Sequence, residues 1–233
     1  MARERATNLP VAAVTGLVAE ARIARGMGWR AVAAGGREEG TRAAIARLIA
    51  DGAAALASFG ICGGLDPALR SGALILPHAV LGEDGDRYAV HAGLHRTLAA
   101  ALEQAGIGAF TGDMLGAAAA ADTPSRKATL HRQGGVAVDL ESHLVAGAAA
   151  EARIPFIVLR AVADPAERAL PPAALIGLDE EGRTALGPVL RSIARQPGQV
   201  SALLRLALDT HHALASLRRA ARALGSLGHP REE

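Results

Sequence analysis

Apolar residues come in short, nearly unbroken runs along the chain, separated by stretches with helical spacing. Val11 to Gly16, Trp29 to Ala34, Ala54 to Ile61, Ala73 to Val80, Ile107 to Thr111, Gly135 to Val138 and Phe156 to Ala163 have strand length and little polar content. Between them, the segment ending at Arg25, Gly40 to Ala50, Leu94 to Gln104 and Glu141 to Arg153 place apolar residues three and four apart and predict helices. A sheet buried on one face would show strict alternation, so near-continuous runs predict a largely parallel sheet covered on both faces. The fold class is therefore α/β: a single domain over residues 1–233 with a mixed, largely parallel central sheet flanked by helices. Such sheets bind ligands beyond the carboxyl ends of their strands. That rule selects Gly60–Leu65, read as a glycine-rich turn, together with Thr111–Leu115, Asp139–Glu141 and Ala163–Asp164.

Beyond Asp164 the text turns rich in proline and acid, Asp164-Pro-Ala-Glu-Arg-Ala-Leu-Pro-Pro172, which predicts a loop able to cover a site. A last helix is predicted at about 199–225. Its small or apolar residues recur at 203, 207, 210, 214, 217, 221 and 224, with Arg205, Arg218, Arg219 and Arg222 around them. Packing on the sheet or on a second subunit accounts for this pattern, and so does lying on an anionic membrane surface.

Composition removes several classes. Half of the 233 residues are hydrophobic and 21% are charged, enough for a substantial core and too apolar for a disordered chain. The five aromatic residues, Trp29, Phe59, Tyr88, Phe110 and Phe156, are too few for base-stacking platforms, so no nucleic-acid partner is expected. A formal charge of +2 is no basic field. The single cysteine, Cys62, fits a reducing compartment, and Gly16, Glu20 and Arg22 interrupt the first apolar run too early for a signal peptide. The expected location is the cytoplasm, with peripheral contact at the inner face of the membrane the alternative.

Familiar motifs are missing. Lys127, the one lysine, has no phosphate-loop context, and the first strand ends without a three-glycine dinucleotide fingerprint. His91 and His95 lack the acid of a metalloprotease pair, so no metal is expected. No nucleophile elbow exists, and Cys62 reads as a buried, inert thiol. What remains is a set of carboxylates at strand ends. Asp164 closes the apolar run Phe156-Ile-Val-Leu-Arg-Ala-Val-Ala, where burial would raise its pKa and keep a proton for donation. Glu141 follows Val136-Ala-Val-Asp-Leu140 at a helix start, placed to accept ligand hydroxyls. Equally, Glu141 could cap its helix and Asp164 could open a turn before Pro165.

Five segments, in this order and spacing, decide between those readings. Gly60-Ile-Cys-Gly-Gly-Leu65, Arg70-Ser-Gly-Ala-Leu-Ile-Leu76, Thr111-Gly-Asp-Met114, Val136-Ala-Val-Asp-Leu-Glu141 and Val158-Leu-Arg-Ala-Val-Ala-Asp164 resemble the purine nucleoside phosphorylase and methylthioadenosine/adenosylhomocysteine nucleosidase superfamily, over about residues 11–165. The opening Gly-Leu-Val-Ala-Glu-Ala-Arg-Ile-Ala at 16–24 and the stretch Ser58-Phe-Gly-Ile-Cys-Gly-Gly-Leu65 are similar to the hopanoid-associated phosphorylases. The resemblance implies a nucleoside phosphorylase-like fold, a homo-oligomer and release of adenine from a 5′-substituted adenosine. It points to adenosylhopane, with phosphate or water as acceptor and no metal or organic cofactor. By the same resemblance Asp164 is the acid at purine N7, Glu141 holds the ribose 2′- and 3′-hydroxyls, and Gly60, Gly63 and Gly64 let backbone approach the ribose and nucleophile. Leu115 and Leu140 would line the purine and sugar pocket.

Departures from the family pattern leave the nucleophile open. Of the acidic run that positions water in nucleosidases, Glu20 alone stands here, between Ala19 and Ala21. Ser58 and Ile61 stand where phosphorylases grip phosphate, which leaves Arg22 or Arg42 as candidate phosphate ligands. Leu115 replaces an aromatic and implies an aliphatic pocket. The alternatives are a soluble nucleosidase for methylthioadenosine, adenosylhomocysteine or futalosine, and a non-catalytic nucleoside-binding protein.

Overall fold

A computed structural model describes residues 11–82, 85–176, 179, 182–183 and 185–225. The chain opens β1 (Val11–Thr15), α1 (Val18–Arg25), β2 (Arg30–Ala33), α2 (Glu38–Ala50) and β3 (Ala55–Gly64). It continues through β4 (Leu74–Ile75), β5 (Ala79–Leu81), β6 (Arg87–Ala89), α3 (Ala92–Gln104), β7 (Ala109–Phe110) and β8 (Met114–Gly116). Then come α4 (Pro124–Arg132), β9 (Ala137–Asp139), α5 (Ser142–Ala152) and β10 (Phe156–Asp164), and last α6 (Pro172–Leu175), α7 (Leu186–Arg195) and α8 (Val200–Gly225).

All ten strands join one mixed sheet, ordered β6-β5-β8-β9-β3-β10-β4-β7, with β1 on β3 and β2 on β1. Six pairings are parallel, β1–β2, β1–β3, β3–β10, β4–β7, β5–β8 and β8–β9. The glycine-rich segment expected as a turn is the second half of β3, because Gly60 to Gly63 pair with β10 and Gly63 and Gly64 with Val138 and Ala137 of β9. The run expected as one strand from Ala73 to Val80 is broken at Leu76–His78, where Pro77 has no N–H to give a ladder. That break shapes the sheet. Four Cα steps reach at most about 14 Å, yet β4 and β5 stand five strand spacings apart in the order, about 24 Å if the sheet were flat. The sheet therefore curls back on itself.

The spine is β3 against β10, paired in parallel from Leu56–Phe156 to Gly63–Asp164, with a bulge between Val162 and Asp164. Both strands are buried along nearly their whole length, which accounts for their continuous apolar text. On its other side β3 changes partner. It pairs with β1 as far as Ser58 and with β9 only from Gly63, leaving Phe59 to Cys62 without a strand on that edge. This is where the strand ends open.

Arg160 interrupts the apolar text of β10 and is 1% exposed. Its Nη2 donates to Glu141 Oε2 at 2.8 Å and Ser58 Oγ at 2.6 Å and is paired with Asp139, while Nη1 donates to the Ile61 carbonyl at 3.2 Å. Asp139 in turn accepts from the Ser142 amide at 3.1 Å and lies 2.6 Å from the Ser142 hydroxyl, fixing the start of α5. One cation thus ties β3, β9, β10 and α5. Removing it would strand two buried carboxylates, a change that costs about 3–5 kcal/mol in comparable sites. Arg160→Leu is expected to lower stability in urea by that amount at pH 8, and by less toward pH 5 as Glu141, already raised by burial, takes up a proton; equal stability at both pH values would contradict this account.

Candidate functional site

Glu20 lies on α1, the helix that leaves the end of β1. As the third residue of α1 it reaches back to the helix entry, where its Oε2 accepts from the Leu17 amide at 2.7 Å. Its other oxygen accepts from the Ile61 amide at 2.8 Å, inside the gap where β3 has no neighbouring strand. The carboxyl fills the space over Gly60, where a Cβ would fall 2.6–2.7 Å from it. Burial pushes Glu20 up to about 7, against the attraction of Arg160 and of the two amides.

Glu141 comes from the turn between β9 and α5. Its Oε1 lies beside Gly16, where a Cβ would be 2.9 Å away, and Glu20 Oε2 would be 3.7 Å from the same point. The two carboxyls thus converge on the end of β1. Burial raises Glu141 and the Arg160 charge opposes the rise. Glu141 makes no side-chain cap to α5, so the capping reading of its position does not apply.

Asp164 stands at the end of β10, beyond the bulge, with its carboxyl oxygens over Gly63. Lys127 holds it. The ammonium is wholly buried and donates to Asp164 Oδ2 at 2.6 Å, to the Asp164 carbonyl at 2.9 Å and to the Pro165 carbonyl at 2.9 Å, so all three of its protons are used. Burial nevertheless raises Asp164 to about 6, outweighing Lys127.

These groups line a cavity of about 580 Å³, within the range of small-molecule sites. Glu20, Asp139, Glu141, Arg160 and Asp164 form its polar end, with Gly16, Gly36, Ile61, Cys62, Gly63 and Leu140 around them. The remaining wall is mostly aliphatic, made by Leu170, Ala173, Val189, Leu203, Leu206 and Ala207 with Thr210 beside them. The loop expected to cover a site contributes Leu170, and the cover extends through α6, α7 and the first half of α8. Gln199 ties it together, accepting from the Ala173 amide at 2.9 Å and donating to the Ser192 carbonyl at 2.9 Å.

The structure gathers Glu20, Glu141, Asp164, Gly63 and Leu140 and leaves other expected residues outside. Arg22 and Arg42 are exposed on the outer faces of α1 and α2, Arg42 paired with Glu38 at 2.9 Å, so neither lines the cavity. Leu115 does not line it either, nor does any of Thr111–Leu115; Leu115 packs with Leu65, Ala117, Ala121 and Val138 in a small cluster of its own. Gly60 and Gly64 serve from behind, against Glu20 and against Val162 and Pro165. Of the histidines weighed for metal, His91 caps α3 by accepting from Leu94 and His95 bonds the Leu76 carbonyl. Cys62 lines the cavity, and burial pushes its thiol far above the usual range, which disarms it as a nucleophile.

Two buried cations escaped the sequence reading. Arg160 carried a signal, a lone arginine inside a nine-residue apolar strand. Lys127 carried a weaker one, being the only lysine in an arginine-rich chain.

Comparison with known proteins places this geometry. The chain superposes on a Helicobacter pylori 5′-methylthioadenosine/S-adenosylhomocysteine nucleosidase mutant holding 5′-methylthioadenosine in its active site, with TM-score 0.68, 13% identity and 94% and 98% of the two chains covered. It matches the Neisseria meningitidis nucleosidase in complex with methylthio-immucillin-A at TM-score 0.67 and 18% identity, covering 94% of this chain and 100% of that one. The native futalosine hydrolase of Helicobacter pylori matches at TM-score 0.67 and 14% identity, over 93% and 96%. These likenesses establish a shared fold. No curated protein matches. The family model of the phosphorylase superfamily matches residues 28–186, which carry Glu141, Arg160 and Asp164 but not Glu20. With more than half its length matched, and the carboxylates of the cavity set on the strand ends of the matched segment, the chain belongs to the phosphorylase superfamily.

Proposed function

We propose that this protein hydrolyses the N-glycosidic bond of an adenosine that bears an apolar 5′ substituent, adenosylhopane being the substrate to which its sequence resemblance points. The observation that carries the reading is the convergence of Glu20 and Glu141 at Gly16, with Asp164 over Gly63 on the same cavity. In the reaction a water attacks C1′ and gives a proton to Glu20, while the C1′–N9 bonding pair leaves with adenine. Asp164 delivers its proton to N7 as that charge builds. Glu141 accepts a hydrogen bond from a ribose hydroxyl as positive charge develops on the sugar. Having lost its proton, Asp164 is left as a carboxylate against the Lys127 ammonium at 2.6 Å, which favours the departing step electrostatically.

Charge selects water over phosphate in this reading. The polar end holds Glu20, Asp139, Glu141 and Asp164 against Arg160 and Lys127, both of which are already paired. A phosphate dianion would meet carboxylates with no unpaired cation among the described residues that line the cavity, since Arg22 and Arg42 lie outside. The aliphatic wall supports an apolar 5′ group rather than a charged one.

Adenine release from adenosylhopane, with methylthioadenosine as soluble comparison, tests the reading. Release is expected without phosphate and unchanged by adding it, and faster from the lipid nucleoside; strict phosphate dependence would overturn the hydrolytic assignment, and preference for methylthioadenosine the lipid one. Asp164→Asn is expected to cut release by about 10²–10⁴-fold, the usual share of general acid catalysis. Gly60→Ala is expected to cost at least about 10-fold, because its methyl group takes the place of the Glu20 carboxyl.

The pH profile follows from the two titrating groups. Glu20, near 7, must be ionised and Asp164, near 6, must be protonated. Activity rises as Glu20 loses its proton and falls as Asp164 loses its own. For the soluble nucleoside, kcat/KM is expected to trace a narrow bell with its maximum between about 6 and 7; a plateau extending to pH 9 would remove Asp164 from the acid role.

A further inference from the structure

Six of the seven large hydrophobic side chains exposed among the described residues fall in one short segment: Leu175, Ile176, Leu190, Val200, Leu204 and Leu208. They lie at the end of α6, on α7 and on the first half of α8. Val200, Leu204 and Leu208 recur every four residues and form one stripe, with Leu204 and Leu208 each more than 60% exposed. The same helices turn other apolar residues into the cavity, Val189 beside Leu190, and Leu203, Leu206 and Ala207 beside the stripe. The wall between cavity and solvent is therefore apolar on both sides.

Charge identifies the occupant. From Gly182 to Leu208 the sequence contains no acidic residue, and Arg191, Arg195 and Arg205 stand exposed among the leucines. Two copies packed stripe to stripe would bring those arginines together, while Asp179 before α7 and Asp209 on α8 are already held by the Arg183 amide and by Arg168. An anionic bilayer offers headgroup phosphates to the guanidinium groups and an acyl boundary to the leucines. The second half of α8 is built otherwise. Ala213, Leu217, Ala220, Ala221 and Leu224 are buried, and that half is committed to the protein's own core. The amphipathic pattern of the last helix thus divides into a packing half and a half whose apolar stripe is left exposed by the described residues.

We propose that the face formed by α6, α7 and the first half of α8 docks on anionic lipid bilayers, with Leu190, Leu204 and Leu208 inserted at the acyl boundary and Arg191, Arg195 and Arg205 on the headgroups. No helix among the described residues is long and apolar enough to cross a membrane, so the contact is peripheral. Docking there would set the aliphatic wall of the cavity against the membrane. The surface stands whether or not the proposed substrate is right.

Co-sedimentation of the full chain with phosphatidylcholine vesicles, with and without about one-third phosphatidylglycerol, tests it at low and high salt. Binding is expected at least about 10-fold tighter with the anionic lipid and weaker at high salt. The double variant Leu204→Glu/Leu208→Glu is expected to lose at least about 10-fold in vesicle affinity and to turn over soluble nucleoside within about 2-fold of the parent, since neither side chain lines the cavity. Absence of vesicle binding by the parent overturns the proposal, as does binding that the double variant retains. Self-association of the parent that the double variant abolishes would assign the face to a second copy and overturn it too. Turnover without vesicle binding refutes the docking surface alone, whereas vesicle binding without turnover of any nucleoside refutes only the proposed reaction.

Discussion

The site depends on one constraint in the sheet: β3 is longer than either strand that flanks it on one side. β1 accompanies it to Ser58, β9 joins at Gly63, and the four residues between have backbone groups that the sheet does not pair. Buried amides demand partners. Glu20 supplies one to the Ile61 amide, and Arg160 donates to the Ile61 carbonyl. A carboxylate and a guanidinium are thus drawn into the interior by an interruption in ordinary sheet pairing. Gly60 is the corollary, because the Glu20 carboxyl sits where its side chain would be. The fold makes the polar pocket by declining to close its own ladder.

Once those groups are inside, their electrostatics are interdependent. Arg160 neutralises part of the Asp139 and Glu141 charge, yet burial still raises Glu141 and brings Glu20 to about 7. Lys127 plays the matching part for Asp164 at the far edge of β10, where burial again outweighs the cation and leaves the acid near 6. Paired cations keep these carboxyls buried without making them so acidic that they hold no proton near neutrality. A polar pocket without Arg160 and Lys127 would either expel its carboxylates or hold them permanently protonated.

Much of the fold was legible because strands buried on both faces write continuous apolar text. β1, β3 and β10 are such strands, and α2, α3 and α5 show the period that covers them. β6, β8, α4, α6 and α7 were not legible. β6 and β8 are three residues each, and α4 lacks an apolar stripe; only Lys127 on it is buried. The sheet's return between β4 and β5 is marked by Pro77 alone. Of the site, Asp164 and Glu141 could be read because each ends an apolar run. Arg22 and Arg42 were drawn from charge type, which says nothing about direction, and both helices turn them to solvent. Leu115 differs: it sits on β8 directly opposite Val138 of β9 and packs with Leu65, Ala117 and Ala121 behind the pocket wall rather than on it.

The division of the cavity into a polar end and an aliphatic wall follows the division between the sheet and the chain that covers it. The polar end is built from β3, β9 and β10 with their adjoining turns and from the first turn of α1 at the end of β1, so its geometry is fixed by the core of the sheet. The aliphatic wall comes from the chain after Asp164, held to itself through Gln199 and the Arg168–Asp209 ion pair at 2.6 Å, and to the rest of the molecule through the Ser71 hydroxyl on the Asp209 carbonyl. Few contacts of that kind are needed to hang a cover on a finished sheet, and the sequence of a cover can change without disturbing the ladder beneath it. The wall here is leucine, valine and alanine with the Thr210 hydroxyl among them, so the apolar half of the pocket owes its make-up to the cover and not to the ladder that fixes the polar half.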